Sequence, residues 1–226
     1  MLAAVRPAGK TDTVRPGGRD VAGESGAGVS ELFERFDGGD VRDLIAEFPL
    51  AWVCAAAGGA DHASLLPLLG EYDPEGRLTH LVGHMARRNP LYAALSSAPR
   101  ALVLFNGPDG YVSPAQAGLD NWAPTWNFAQ LRIEAEVTFE PDRTEEALDL
   151  LAARMDDGTG WGRTMLGPRY TGMLEAIVGF RAQVTRVAGK FKLGQDERPE
   201  TLRSIVARHP DPVLVRWMRR FNEERI

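Results

Sequence analysis

The chain has 226 residues, 44% of them apolar, and a formal charge of −5. That length buries one sizeable core or two small ones, and the acidic balance argues against a protein whose main task is gripping nucleic acid. The longest unbroken apolar run, Leu50–Ala57, is far short of the roughly 20 residues a membrane helix needs.

In chain order, residues 1–28 hold six glycines, two prolines and no aromatic residue, and read as a mobile leader ahead of one domain spanning 29–226. No apolar signal core is present there, so the expected location is cytoplasmic. A short helix is expected at Val29–Phe36. Asp40 is a plausible N-cap for a second, in which Val41, Leu44, Ile45 and Phe48 fall at helical spacing before Pro49. From Leu50 the texture is that of strands: LAWVCAAA, ASLLPLLGEY after a Gly58–Gly59 turn, and then LTHLVGHMA after the turn Asp73–Gly76. Cys54, the single cysteine, permits no intrachain disulfide and reads as core.

LYAALSSAP is a short helix, ALVLF (Ala101–Phe105) a buried strand, and NGPDG a tight turn before a brief extended piece at Tyr111–Pro114. Ala115–Ala123 is expected to be a loop long enough to cover a site. Leu131, Ile133, Ala135, Val137 and Phe139 alternate with polar residues, the pattern of a strand with one buried and one wet face. Pro141–Met155 reads as a helix with Leu148, Leu151 and Met155 as its buried stripe, followed by a glycine-rich loop with one turn of helix. A strand at Ile177–Val187, a polar connection at Gly189–Arg198 and helices at about Glu200–Arg208 and Pro212–Glu224 complete the chain. Six or seven strands joined by hairpins, with helices outside them, describe a mainly β, α+β fold built on a small antiparallel barrel.

Dinucleotide, P-loop, nucleophile-elbow and zinc-protease motifs are absent. Chemistry-bearing residues instead concentrate in three places. In LTHLVGHMARRNP (Leu78–Pro90), strand periodicity puts His80 and His84 on one face, and Arg87, Arg88 and Asn89 lead into a helix start suited to an anion. Tyr111, Ser113, Thr125, Trp126 and Asn127 flank one loop, and Tyr111 and Trp126 suit a planar cofactor. Lys190, Lys192 and Gln195 form the third group. Neutral imidazole suits iron, so His84 or His80 is the axial candidate if the cofactor is haem.

The segments GHMARRNP (Gly83–Pro90), FNGPDGYVSP (Phe105–Pro114), PTWNF (Pro124–Phe128) and GKFKLGQDE (Gly189–Glu197) resemble, in order and spacing, the PaiB-like family of FMN-binding regulators, from about Leu32 to Arg203. The resemblance implies a split β-barrel of the FMN-binding, flavin-reductase-like type, and a homodimer with its cofactor at the interface. This chain departs from the usual pattern where KLGQDE (Lys192–Glu197) replaces KLSQNR, where Ala115 follows the Ser-Pro pair, and at the additional His80. With WAPTWNFAQLRI and VRWMRRFN, its texture is similar to the haem-dependent piperazate synthase branch of that family. That branch implies haem b where ordinary members imply FMN, and the closure of N5-hydroxy-L-ornithine to L-piperazic acid with loss of water. It further implies His84 or His80 on iron. Arg87, Arg88, Lys190 and Lys192 are implied on haem propionates or the substrate carboxylate, and Tyr111, Ser113, Thr125 and Asn127 on the amines. The other implied readings are an FMN-dependent oxidoreductase and a non-enzymatic regulator.

Overall fold

The computed structural model describes residues 31–57, 62–156, 158, 160 and 162–226. The leader read in 1–28 lies outside the described residues, as do Val29 and Ser30 of the first expected helix, of which Glu31 and Leu32 are helical. Helix α1 (Gly38–Glu47) is capped by Asp37 rather than Asp40. The two aspartates form a capping box: Oδ1 of Asp37 accepts from the Asp40 amide and Oδ2 of Asp40 accepts from the Asp37 amide, each at 2.9 Å.

Strands β1 (Leu50–Ala55), β2 (Ala63–Pro67), β3 (Leu69–Tyr72) and β4 (Leu78–Ala86) follow. Helix α2 (Pro90–Ser97) leads to β5 (Arg100–Val112), and a short α3 (Pro114–Ala117) with a loop leads to β6 (Thr125–Phe139). Helices α4 (Thr144–Met155) and α5 (Arg169–Glu175) precede β7 (Ile177–Lys192), and α6 (Pro199–Arg208) and α7 (Pro212–Arg220) end the fold. The seven strands form one antiparallel sheet in the order β2-β1-β5-β6-β7-β4-β3. β2 and β3 stand at its two ends, yet they are consecutive in the chain, separated by Leu68 alone. The stretch 63–72 therefore ties both edges together and rolls the sheet into a split barrel, which removes exposed edges.

Three strands are longer than their hydrophobic pattern suggests. NGPDG is not a turn: β5 runs through it, and a bulge between Asn106 and Asp109 absorbs the irregularity before Asp109 pairs with Phe128. β6 begins six residues earlier than the alternation of Leu131–Phe139, because Thr125–Gln130 pairs with the far half of β5. β7 continues to Lys192, so Lys190 and Lys192 lie on a strand opposite Gln130 and Phe128, not in a connection.

Inward side chains such as Phe105, Leu131, Ile133, Phe180 and Phe191 are fully buried and fill the barrel. Trp217 and Phe221 stack on Phe191, closing one end with α7. Outside the barrel, α4 packs on β7 and β4 through Ala147 and Leu151, while Leu148 and Met155, expected in the buried stripe, face a cavity instead. Gly179 permits this docking: a Cβ there would stand 2.9 Å from Thr144 Cα, and its amide donates to Thr144 Oγ1 at 3.0 Å. Helix α5, in a stretch to which the sequence pattern assigns no element, forms the far wall of that cavity.

Candidate functional site

The histidine strand is where sequence and structure agree most closely. Leu81, Gly83 and Met85 of β4 point into the barrel and His80 and His84 point out, opposite Gln183 and Gly179 of β7. Their surroundings differ. His80 Nδ1 lies 3.2 Å from Thr79 Oγ1 and 3.9 Å from Glu71 Oε2. Glu71 is itself held at 2.8 Å by Arg181, which also reaches Glu140 at 2.8 Å and Glu146 at 3.2 Å. Hydrogen bonds from Arg143 and Arg181 hold the Glu146 carboxyl down at about 2. His80 thus sits beside an ion-pair network on the barrel wall.

His84 instead lines a cavity of about 660 Å³ between β4 and the helices α4 and α5. Pro67, Leu148, Leu151, Met155, Leu166, Met173, Leu174 and Ile177 make most of its walls apolar. At the rim, Arg163 bridges Glu145 and Asp149 at 3.1 and 3.3 Å, and its guanidinium donates to Tyr170 Oη at 3.4 Å. Burial pushes the His84 imidazole below its ordinary value, so it is neutral at pH 7. Its Nδ1 is sealed from water with no hydrogen-bond partner, a condition shared among the described residues only with His62 Nδ1. A half-buried, neutral imidazole on the wall of an apolar space, one of its nitrogens sealed and unsatisfied, is suited to a ligand or ion.

The remaining expected site residues lie elsewhere. Arg87 and Arg88 are exposed in the turn after β4. Asn89 caps α2, its Oδ1 accepting from the Leu91 amide at 3.0 Å, and its Nδ2 donates to Ser64 Oγ at 2.9 Å. Ser113 caps α3 in a capping box with Gln116. Gln195 closes the turn after β7, accepting from the Leu193 amide at 2.7 Å and donating to Phe191 O at 2.6 Å. Asn127 is buried and donates to Met218 Sδ at 3.6 Å.

Tyr111 and Trp126, directly opposite on β5 and β6, are 48% and 54% exposed with ring centroids 6.2 Å apart. Phe128 and Lys192 are paired next along, and the Lys192 ammonium donates to Thr125 Oγ1. This aromatic and cationic ledge and the His84 cavity do not meet in one chain. Lys192 stands thirteen positions beyond Gly179, the partner of His84, on β7, or about 43 Å of strand at roughly 3.3 Å per residue. Lys190 lies in a separate shallow groove with Gln130, Arg132 and Arg186.

Sequence reading missed Arg163, Tyr170 and α5, and took the apolar stripe of α4 for core where it lines a cavity. The glycines around Arg163 hide the wall behind a loop-like composition, and the strongest available signal was Leu148 and Met155 recurring at helical spacing.

Residues 29–186 match the family described as "Putative FMN-binding domain". The chain belongs to this FMN-binding family. Among relatives, it is 23% identical over 184 residues to the protease synthase and sporulation protein PAI 2 of Bacillus subtilis, covering 79% of this chain and 86% of that one. The solved structure of the flavocytochrome Anf3 from Azotobacter vinelandii superposes with a TM-score of 0.54 at 18% identity, over 70% of this chain and 69% of that chain. The FAD and haem binding protein from Mycobacterium smegmatis gives 0.50 at 18% identity, over 71% and 73%. These likenesses establish the split-barrel fold. Among the described residues no helix is long and apolar enough to cross a membrane.

Proposed function

We propose that this member of the FMN-binding family is a haem enzyme in which His84 ligates the iron and the cavity beside it encloses the porphyrin. The observation that carries this reading is the buried, partnerless nitrogen of a neutral His84 on a largely apolar cavity of about 660 Å³. The walls fit the group: a porphyrin is a flat apolar disc with two carboxylates, leucine, methionine and isoleucine line the cavity, and Arg163 at the rim, paired with Glu145 and Asp149, would have to turn to a carboxylate. When bound, haem iron supplies a Lewis-acid centre. The names of two solved structures of like fold, a flavocytochrome and an FAD and haem binding protein, agree with haem on this scaffold.

The reaction proposed is formation of the N–N bond of L-piperazic acid from N5-hydroxy-L-ornithine. The α-amine attacks N5 as the N–O bond breaks, one water leaves, and no net oxidation occurs. The resemblance of WAPTWNFAQLRI and the C-terminal VRWMRRFN segment to the piperazate-forming branch supports this substrate. The protein's tasks are to fold the substrate for ring closure and to hold the amine close to N5. A homodimer is part of the same reading, because only a second copy can bring the ledge to the cavity. Leu50, Trp52 and Leu65, exposed on β1 and β2 with Trp52 opposite Leu65, offer an apolar face for it.

Purified protein with a Soret band that His84→Ala abolishes, and turnover of N5-hydroxy-L-ornithine to a cyclic product, are the expected results. A Soret band unchanged in that variant overturns the ligand assignment. The second reading is a flavin-dependent oxidoreductase or regulator. The Tyr111 and Trp126 ledge beside Lys192 favours it, as a planar ring system and a phosphate would find partners there. A yellow flavin spectrum without a Soret band selects it.

A further inference from the structure

Two opposite charges are held apart at the open end of β6 and β7. Lys192 ends β7, half-buried, with its ammonium anchored on Thr125 Oγ1. Glu197, five residues later and also half-buried, accepts from the indole Nε1 of Trp122 at 3.3 Å. The Lys192 ammonium and the Arg225 guanidinium both favour the charged Glu197 carboxylate, yet among the described residues Lys192 and Glu197 do not close into an ion pair.

The turn between them is fixed in place. Gly194 takes φ +89°, Gln195 bonds back to Leu193 and Phe191, and the Arg225 guanidinium donates to the carbonyls of Gly194 at 3.3 Å, Gln195 at 2.9 Å and Glu197. A rigid turn that keeps an ammonium and a carboxylate from collapsing on each other is pre-organised for a ligand carrying the complementary pair. Burial raises the Glu197 pKa, so its carboxylate gains from an incoming cation. The exposed rings of Trp126 and Tyr111 flank the strand end and offer apolar surface for an aliphatic chain.

We propose that this strand end binds the head group of a free α-amino acid, Lys192 taking the carboxylate and Glu197 the α-ammonium. The inference rests on the amino-acid substrate proposed above and assigns Glu197, outside the residues singled out from sequence, a direct contact with it. An N-acylated amino acid lacks the ammonium and a peptide carries the two charges on different residues, so neither presents the pair on one α-carbon.

Calorimetric titration of the full chain as purified tests this with L-ornithine, which lacks the N–O bond and is not turned over. Ornithine is expected to bind, and 5-aminopentanoate, without the α-amine, and 1,4-diaminobutane, without the carboxylate, are each expected to bind at least about tenfold more weakly. Lys192→Met should abolish the discrimination against 1,4-diaminobutane alone, and Glu197→Gln that against 5-aminopentanoate alone. Equal binding of all three ligands by the wild-type chain, or none of ornithine, overturns the assignment without requiring any variant to fold. The Soret band separates the two readings. Haem-loaded protein that ignores ornithine refutes the head-group site alone, and ornithine binding by protein that takes up no haem refutes the cofactor reading alone.

Discussion

Replacing Gly179 by alanine tests whether contact between α4 and β7 sets the roof of the His84 cavity. The added Cβ would stand 2.9 Å from Thr144 Cα, 3.3 Å from Ala147 Cβ and 3.4 Å from the Thr144 amide nitrogen. Two of those atoms are backbone, so no side chain can swing aside, and the start of α4 must retreat by about 0.5 Å to regain ordinary contact. The same retreat stretches the bond from the Gly179 amide to Thr144 Oγ1. Overpacking of this kind costs about 1–3 kcal/mol, which for a domain of this size lowers Tm by about 2–12 °C. Thermal unfolding by circular dichroism measures it. Gly172→Ala is the control: that helical glycine has nothing within 4 Å of a new Cβ, so the variant should gain about 0.5–1 kcal/mol. Unchanged stability of Gly179→Ala, or equal effects at the two glycines, would refute the close docking of α4.

Three further predictions concern single side chains. Asn89→Ala removes the α2 cap and the Ser64 bond and should cost about 1 kcal/mol, seen as a lower Tm with cofactor content unchanged if Asn89 is structural. His84 has a folded pKa below its unfolded value of 6.5, so the stability it permits is full above 6.5 and is lost as pH falls from there through the lowered value. Urea melts of cofactor-free His84→Leu should lack that acid-dependent step, and an identical pH profile would contradict the burial of the ring. Glu197 has a folded pKa raised above 4.5, a contribution present below 4.5 and lost as pH rises through the raised value. Glu197→Gln should therefore match or exceed wild-type stability at neutral pH and lose that advantage in acid, and a lower neutral Tm would show the carboxylate to be structural.

The barrel was legible because period-two alternation in β6 and β7 and the facing of β4 follow from which side chains must leave water. Strand extents were not. The run from Asn106 to Gly110 has turn composition, and only its pairing with β6 across a bulge makes it strand, a tertiary effect invisible to local pattern. At the site, strand period placed His84 on one face with His80, but the cavity that sets His84 apart depends on α5 and on the close approach at Gly179. Asn89, Ser113 and Gln195 illustrate the opposite error: polar residues in motif positions that spend their hydrogen bonds on caps and turns. Polar residue type at a loop or strand end does not separate a ligand contact from a capping contact. Only the inventory of satisfied groups does.

The filled barrel decides where chemistry can occur. With Phe105, Leu131, Phe180 and Phe191 fully buried inside, a ligand has only outer surfaces, and the two outer surfaces that suit one stand far apart on β7. If substrate held by Lys192 and Glu197 reacts at a cofactor held by His84, the two halves belong to different copies. Mixing His84→Leu with Lys192→Met chains, each inactive alone, then gives heterodimers with one intact composite site. With random pairing, half the dimers are mixed and each holds one working site of two, so activity on N5-hydroxy-L-ornithine should recover to about a quarter of wild type. Sites confined to one chain predict no recovery at all, since every chain in the mixture carries a defect. Co-refolding the two variants and following product formation distinguishes these outcomes, and a mixture that stays inactive despite demonstrated subunit exchange refutes the shared site.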